Sequence, residues 1–129
     1  MHLAHMGMAI SHVEDVQTFY TDLLGMNVQY EFQIPAAQMK DIFNVVYDVR
    51  VFMLKKHEIV LELFYAGETP VTAPPLFGHL CFFSNDRATL AGQARQLGYR
   101  VDVFSRPQGD LIFIFDKSGN RFEVKQAEM

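Results

Sequence analysis

GETPVTAPPLFGHLCFF, running from Gly67 to Phe83, carries three of the chain's five prolines and then turns into a strand-like apolar run. Proline removes a ladder donor and glycine frees the backbone, so Gly67 to Pro75 reads as a linker and Gly78 to Phe83 as the strand after it. The halves on either side of the linker share one pattern. Before it, Leu3 to Ile10 reads as a strand and Ser11 to Leu24 as a helix. Ser11 with Glu14 forms a capping-box signature, Val13, Val16, Tyr20, Leu23 and Leu24 make an apolar stripe, and Gly25 stands as the stop. Strands are expected at Asn27 to Ile34, Val49 to Leu54 and Ile59 to Tyr65, with an irregular or short helical excursion over Pro35 to Asn44. After the linker, Ser84 or Asn85 is expected to cap a helix reaching about Leu97, with Leu90, Ala94 and Leu97 on one side and Gly98 as the stop. Strands at Arg100 to Phe104, Leu111 to Phe115 and Arg121 to Val124 complete the copy, the last two joined by a tight turn over Asp116 to Asn120. The fold class expected is therefore α+β. Two tandem βαβββ modules, residues 1–66 and 76–129, make one domain of residues 1–129 with curved mixed sheets.

Four metal-competent side chains stand alone in these apolar runs: His5, Glu62, His79 and Glu123. His5 precedes the Gly25 stop by 20 residues and His79 precedes the Gly98 stop by 19, so the placement is equivalent in both modules. Glu62 sits in Ile59-Val60-Leu61-Glu62-Leu63-Phe64-Tyr65, where an unpaired buried carboxylate costs several kcal/mol or is neutralised. Taken alone it could face water at a sheet edge or pair with Arg50. Strand alternation puts His5 on a face with Gly7 and Ala9, His79 with Cys81 and Phe83, Glu62 with Val60 and Phe64, and Glu123 with Arg121 and Lys125. If the first and last strands of a module are neighbours, its His and Glu meet. Two such pairs suit one divalent ion per chain, Zn, Ni, Co, Mn or Fe, with water in open positions. His2, His12 and His57 lack this placement and read as surface or loop residues.

Composition narrows the function classes. The chain has 129 residues, a formal charge of −4 and no Lys/Arg cluster, which argues against a nucleic-acid partner. No apolar run is long enough for a membrane span and no signal-peptide pattern opens the chain, so the expected location is the cytoplasm. The single Cys81 cannot form an internal disulfide and agrees with a reducing compartment.

The segments His5 to Ile10, FYTDLLGM (Phe19 to Met26), Leu61-Glu62-Leu63, Gly78-His79-Leu80 and DKSGNRFE (Asp116 to Glu123) together resemble the vicinal oxygen chelate superfamily, and within it glyoxalase I. The resemblance implies a glyoxalase-like fold around a divalent metal, with His5, Glu62, His79 and Glu123 as ligands. It also implies a homodimer whose sites draw on both chains. Glu at position 62 favours the glyoxalase I branch over methylmalonyl-CoA epimerases, which usually carry Gln there. It also favours that branch over fosfomycin-resistance proteins and extradiol dioxygenases, which use two His and one carboxylate. The function expected is that of a lyase or isomerase related to lactoylglutathione lyase, moving a proton next to a carbonyl through a metal-stabilised enediolate. Glu123 would act as base and Glu62 would serve the other face. Ala9, Phe64, Cys81, Phe83 and Arg121 are expected to line the pocket of a small carbonyl or thioester substrate. Bacterial glyoxalase I has an Arg near Ala9 and an Asn near Ala66 that help hold glutathione, so both alanines point away from a glutathione adduct. The alternatives are an epimerase-like isomerase, an Fe(II) dioxygenase and a non-enzymatic binding protein of the bleomycin-resistance kind.

Overall fold

The computed structural model describes residues 1–68 and 77–128, so most of the proline-rich linker, Thr69 to Pro75, lies outside the described residues. The chain divides into two compact units, Met1–Val71 and Thr72–Met129, and each carries its own sheet and helix.

In the first unit the strands are β1 (Met6–Ile10), β2 (Asn27–Ile34), β3 (Val49–Lys56) and β4 (Ile59–Tyr65), in the order β1-β4-β3-β2. β1 runs parallel to β4 with Gly7 opposite Glu62, and the remaining pairings are antiparallel. The second unit repeats this plan. Its strands are β5 (Leu80–Ser84), β6 (Val101–Phe104), β7 (Leu111–Phe115) and β8 (Arg121–Gln126), in the order β5-β8-β7-β6, with β5 parallel to β8 and Cys81 opposite Glu123. Closing each module with its first strand beside its last is what brings an N-terminal His next to a C-terminal Glu. The α+β architecture of two tandem βαβββ modules stands.

Alternation sorts each sheet into an inner and an outer face. In β4, Leu61 and Leu63 are at 1% and 0% exposure and point away from Glu62, on the face that Ile10 of β1 shares. In β7 and β8, Ile112, Ile114, Phe122 and Val124 are buried on the side opposite Glu123, and Ala91 and Ala94 of α2 (Arg87–Gln96) are buried with them. This corrects the stripe expected on that helix, because Leu97 is 45% exposed. Alanines let the helix backbone approach the sheet closely, which a leucine on the same face would prevent.

Both helix starts also depart from expectation. Asp86, rather than Ser84 or Asn85, caps α2: its carboxylate accepts the Thr89 N–H at 3.1 Å and the Thr89 hydroxyl at 2.7 Å. Ser84 ends β5, and its hydroxyl accepts from the Asp86 N–H. In the first module the helix begins at Val16 and not at Ser11, and it is a π-helix over Val16–Leu23. Ser11 is buried, with its hydroxyl 3.1 Å from His12 Nδ1. Phe19 and Tyr20 of the π-helix are both fully buried. The Thr21 hydroxyl donates to the Val16 carbonyl at 2.9 Å across this wider turn.

The excursion after β2 is the helix α1 (Ala36–Phe43), ended by Asn44 in the left-handed region at φ 58°. Its Met39 packs on Val49 and Val51, so the helix lies over the same face of the first sheet that carries Glu62. The turn between β7 and β8 is organised by buried Asp116, whose carboxylate accepts from the backbone N–H of Ser118 and Asn120 and from the Asn120 side chain. Gly119 supplies φ 87° there, a value that a side chain would make costly.

Candidate metal centre

His5 lies one residue before β1, and its Nε2 is 3.1 Å from Glu62 Oε2 on the adjoining β4. His79 lies one residue before β5, and its Nε2 is 3.4 Å from Glu123 Oε1 on β8. The two carboxylates are mostly buried, at 13% and 15% side-chain exposure, while the imidazoles are more open at 46% and 35%. Each unit therefore presents one imidazole nitrogen and one carboxylate oxygen at nearly equal separation. Among the described residues no group of three or more His, Cys, Asp and Glu is gathered. Each pair supplies two donors, half of what a tetrahedral site takes.

The protonation pattern of the second pair follows from its partners. His79 Nδ1 is 2.9 Å from the Phe77 carbonyl oxygen, which can only accept, so Nδ1 carries the hydrogen. In the neutral ring this leaves the Nε2 lone pair facing a carboxylate, a repulsive arrangement unless a proton or a cation sits between them. A backbone carbonyl behind the distal ring nitrogen is also the usual way a metal-bound histidine is oriented. The donor set thus fits a divalent cation. On the other side of Glu123, Lys125 Nζ approaches Oε2 at 3.8 Å. Glu62 does not pair with Arg50, which instead bonds Glu31 at 2.9 Å.

The expected pocket residues fall on the faces carrying the carboxylates. Ala9 is opposite Phe64 in the first sheet, and Phe64 meets Phe43 of α1 edge-on at 5.3 Å. Gly7 makes room for that ring: a Cβ there would stand 3.2 Å from Phe64 Cε2. Cys81 lies beside Glu123, and its thiol is pushed above its ordinary value by burial first and then by the Glu123 charge, with Lys125 opposing. A thiol held protonated in this way is a poor nucleophile. Phe83 is 68% exposed, opposite Lys125. Arg121 donates from Nε to the Gly78 carbonyl at 3.1 Å and so ties β8 to the residue before His79. His2, His12 and His57 are apart from both pairs; His57 occupies the turn between β3 and β4 with φ 52°.

Two aromatic neighbours escaped the sequence reading. Phe113 packs edge-on against the His79 ring at 5.6 Å, and Phe43 closes over Phe64. Phe113 could have been found, since Leu111, Phe113 and Phe115 alternate with Ile112 and Ile114 and so share one face. Beside this second pair an open cleft of about 540 Å³ is lined by Arg100, Asp102, Phe104, Phe113, Phe115, Gly119 and Arg121.

The sequence profile of the Glyoxalase/Bleomycin resistance protein/Dioxygenase superfamily matches residues 2–124. The chain belongs to this superfamily. No curated protein matches the sequence. Among solved structures, the trypanothione-dependent glyoxalase I of Leishmania major is 20% identical with a TM-score of 0.74, the match covering 98% of this chain and 86% of that one. A glyoxalase family protein from Enterococcus faecalis is 20% identical with a TM-score of 0.70, and 95% of each chain is covered. The fosfomycin resistance protein FosX of Listeria monocytogenes, complexed with Mn(II) and dihydroxypropylphosphonic acid, is 12% identical with a TM-score of 0.69, covering 95% of this chain and 87% of that one. At these identities the likeness extends to the superfamily's fold. No helix among the described residues is long and apolar enough to cross a membrane.

Proposed function

We propose that this chain is a metal-dependent lyase or isomerase of the glyoxalase I type, with His5, Glu62, His79 and Glu123 as the ligands of one divalent ion per chain. The observation that carries the reading is the equivalence of the two His–Glu pairs. Each pair joins the residue before a module's first strand to the middle of its last strand, at 3.1 and 3.4 Å. A bound divalent cation would supply Lewis-acid stabilisation of the negative charge that develops on two adjacent substrate oxygens. The donors, two imidazoles and two carboxylates, suit Ni, Co, Zn, Mn or Fe.

Glu123 is the base that removes the proton next to the carbonyl and returns it to the neighbouring carbon. Its carboxylate is mostly buried, with Oε1 3.4 Å from His79 Nε2 and Oε2 3.8 Å from Lys125 Nζ. Glu62, in the equivalent position of the first module, serves the other face of the substrate. His79 is held by the Phe77 carbonyl in the tautomer that leaves Nε2 as donor, and Arg121 fixes the strand entry beside it. The functional form is a homodimer, as the family resemblance implies, and its substrate is a small carbonyl compound or thioester.

The test is deuterium incorporation from solvent into small α-hydroxycarbonyl compounds, followed by NMR with metal-loaded protein. Exchange at the carbon next to the carbonyl is expected. Ala9 and Ala66 offer no side-chain hydrogen bond to a charged tripeptide, and each bond of that type is worth roughly 1.5–3 kcal/mol. Turnover of the methylglyoxal–glutathione adduct is therefore expected to be weaker by about two orders of magnitude than in an enzyme built for it. No exchange with any candidate in fully metallated protein contradicts the proton-transfer chemistry.

A further inference from the structure

The second sheet carries large apolar side chains on both faces. Its inner face holds Ile112, Ile114, Phe122 and Val124 against α2, which is what a sheet backed by a helix requires. The opposite face, which carries Glu123, presents Phe104, Phe113 and Phe115 where a one-sided sheet would place polar groups. These three rings wall the cleft of about 540 Å³. A cavity that accepts a single benzene ring is on the order of 150 Å³, so an aryl group fits with space for its substituents.

Charge in the cleft is partly paired from within, and Arg121 adds a second guanidinium whose Nε donates to the Gly78 carbonyl. Arg100 makes a two-pronged contact with Asp102 at 2.7 and 3.2 Å, and its guanidinium lies over the Phe115 ring at 4.3 Å. That pairing lays a flat, internally compensated guanidinium along one side of the cleft. The cleft adjoins the His79–Glu123 pair through Phe113, which is opposite Glu123 in the ladder and touches the His79 ring edge-on.

We infer that the substrate bears an aromatic group that enters the cleft between Phe104 and Phe113 while its two adjacent oxygens reach the His79–Glu123 pair. This rests on the proposed metal-chelating function and adds the substrate class to it. An arene gains twice here, from apolar burial and from offset or edge-on contact with the ring walls. A methyl group in the same place would leave most of the cleft to water.

Hydroxamates chelate through two adjacent oxygens and so test the aryl site apart from the chelation. Titration calorimetry with Ni²⁺-loaded protein is expected to show benzohydroxamate binding about tenfold tighter than acetohydroxamate. Phe104 is 52% exposed, so Phe104→Ala is compatible with folding and is expected to bring the two ligands close to parity by weakening benzohydroxamate alone. Val103→Ala, on the other side of the same strand, is expected to leave the preference unchanged. Equal affinity of the two hydroxamates for the unaltered protein overturns the aromatic class and leaves the chelation reading standing. A preference that survives Phe104→Ala overturns the placement in this cleft. Failure of both hydroxamates to bind metal-loaded protein overturns the chelation reading and, with it, this inference.

Discussion

Glu62 and Glu123 each sit in a strand that is hydrogen-bonded on both sides, opposite a small or thiol residue, and each faces the imidazole that precedes the neighbouring strand. A carboxylate at 13–15% exposure forgoes most of its hydration, and such a position is tolerated when a partner of opposite charge is near. At this scale the sequence was informative, because a lone acidic residue in IVLELFY left two ordinary roles, a sheet edge or pairing with Arg50, and β4 is flanked by β1 and β3 while Arg50 bonds Glu31. The aromatic neighbours were less legible, since Phe43 reaches Phe64 only through the path of α1, which no local pattern specifies. Replacing the proposed base by an amide that keeps one oxygen donor separates chemistry from binding: Glu123→Gln is expected to abolish solvent exchange at the substrate carbon while metal stays bound, read by NMR and metal analysis on the same sample. Exchange at the unaltered rate removes Glu123 from the role of base. Asp86 offers an independent check. The Thr89 hydroxyl, and then its N–H, hold the Asp86 carboxyl below its ordinary 3.8, so its contribution to stability is present above that value and is lost as pH falls through the lower folded one. Thermal melts of Asp86→Ala are expected to show a lowered Tm at pH 7 and a smaller deficit at pH 3. A deficit that is equal at both values contradicts a charge-dependent cap.

At the scale of elements, the strands followed from alternation and turn chemistry, and their observed ends differ from expectation by a few residues, as at β1, which begins at Met6. The start of α2 was misread because cap choice depends on which residue the preceding strand releases, and β5 retains Ser84 and leaves Asp86 to cap. The helix α1 has one deep anchor, Met39 at 4% exposure, against Val49 and Val51. Met39→Ala is expected to destabilise the protein by about 2–4 kcal/mol in urea unfolding. It should also expose Phe64, two residues from Glu62, to solvent. A loss below about 0.5 kcal/mol would mean that α1 is held by other contacts.

For the whole molecule, the repeated strand order β1-β4-β3-β2 and β5-β8-β7-β6 means that each module brings one His beside one Glu through its own first and last strands. Duplication was readable from the spacing of His and Gly, because one strand and one helix lie between them in each module. What spacing alone does not encode is which pair of one module is completed by which other pair. Subunit mixing addresses this. Glu62→Ala chains combined with Glu123→Ala chains are expected to recover part of the exchange activity if sites draw on two subunits, since a symmetric dimer then contains one intact site. No recovery from folded, mixed dimers assigns all ligands to one chain. Metal content is the most direct measurement of the proposed centre. Protein purified without chelator and analysed by plasma mass spectrometry is expected to hold about one divalent ion per chain, with that ion lost in His5→Ala and in His79→Ala alike and kept in His57→Ala. A folded protein that takes up no divalent ion, or one that loses metal equally on His57→Ala, contradicts the centre built from His5, Glu62, His79 and Glu123.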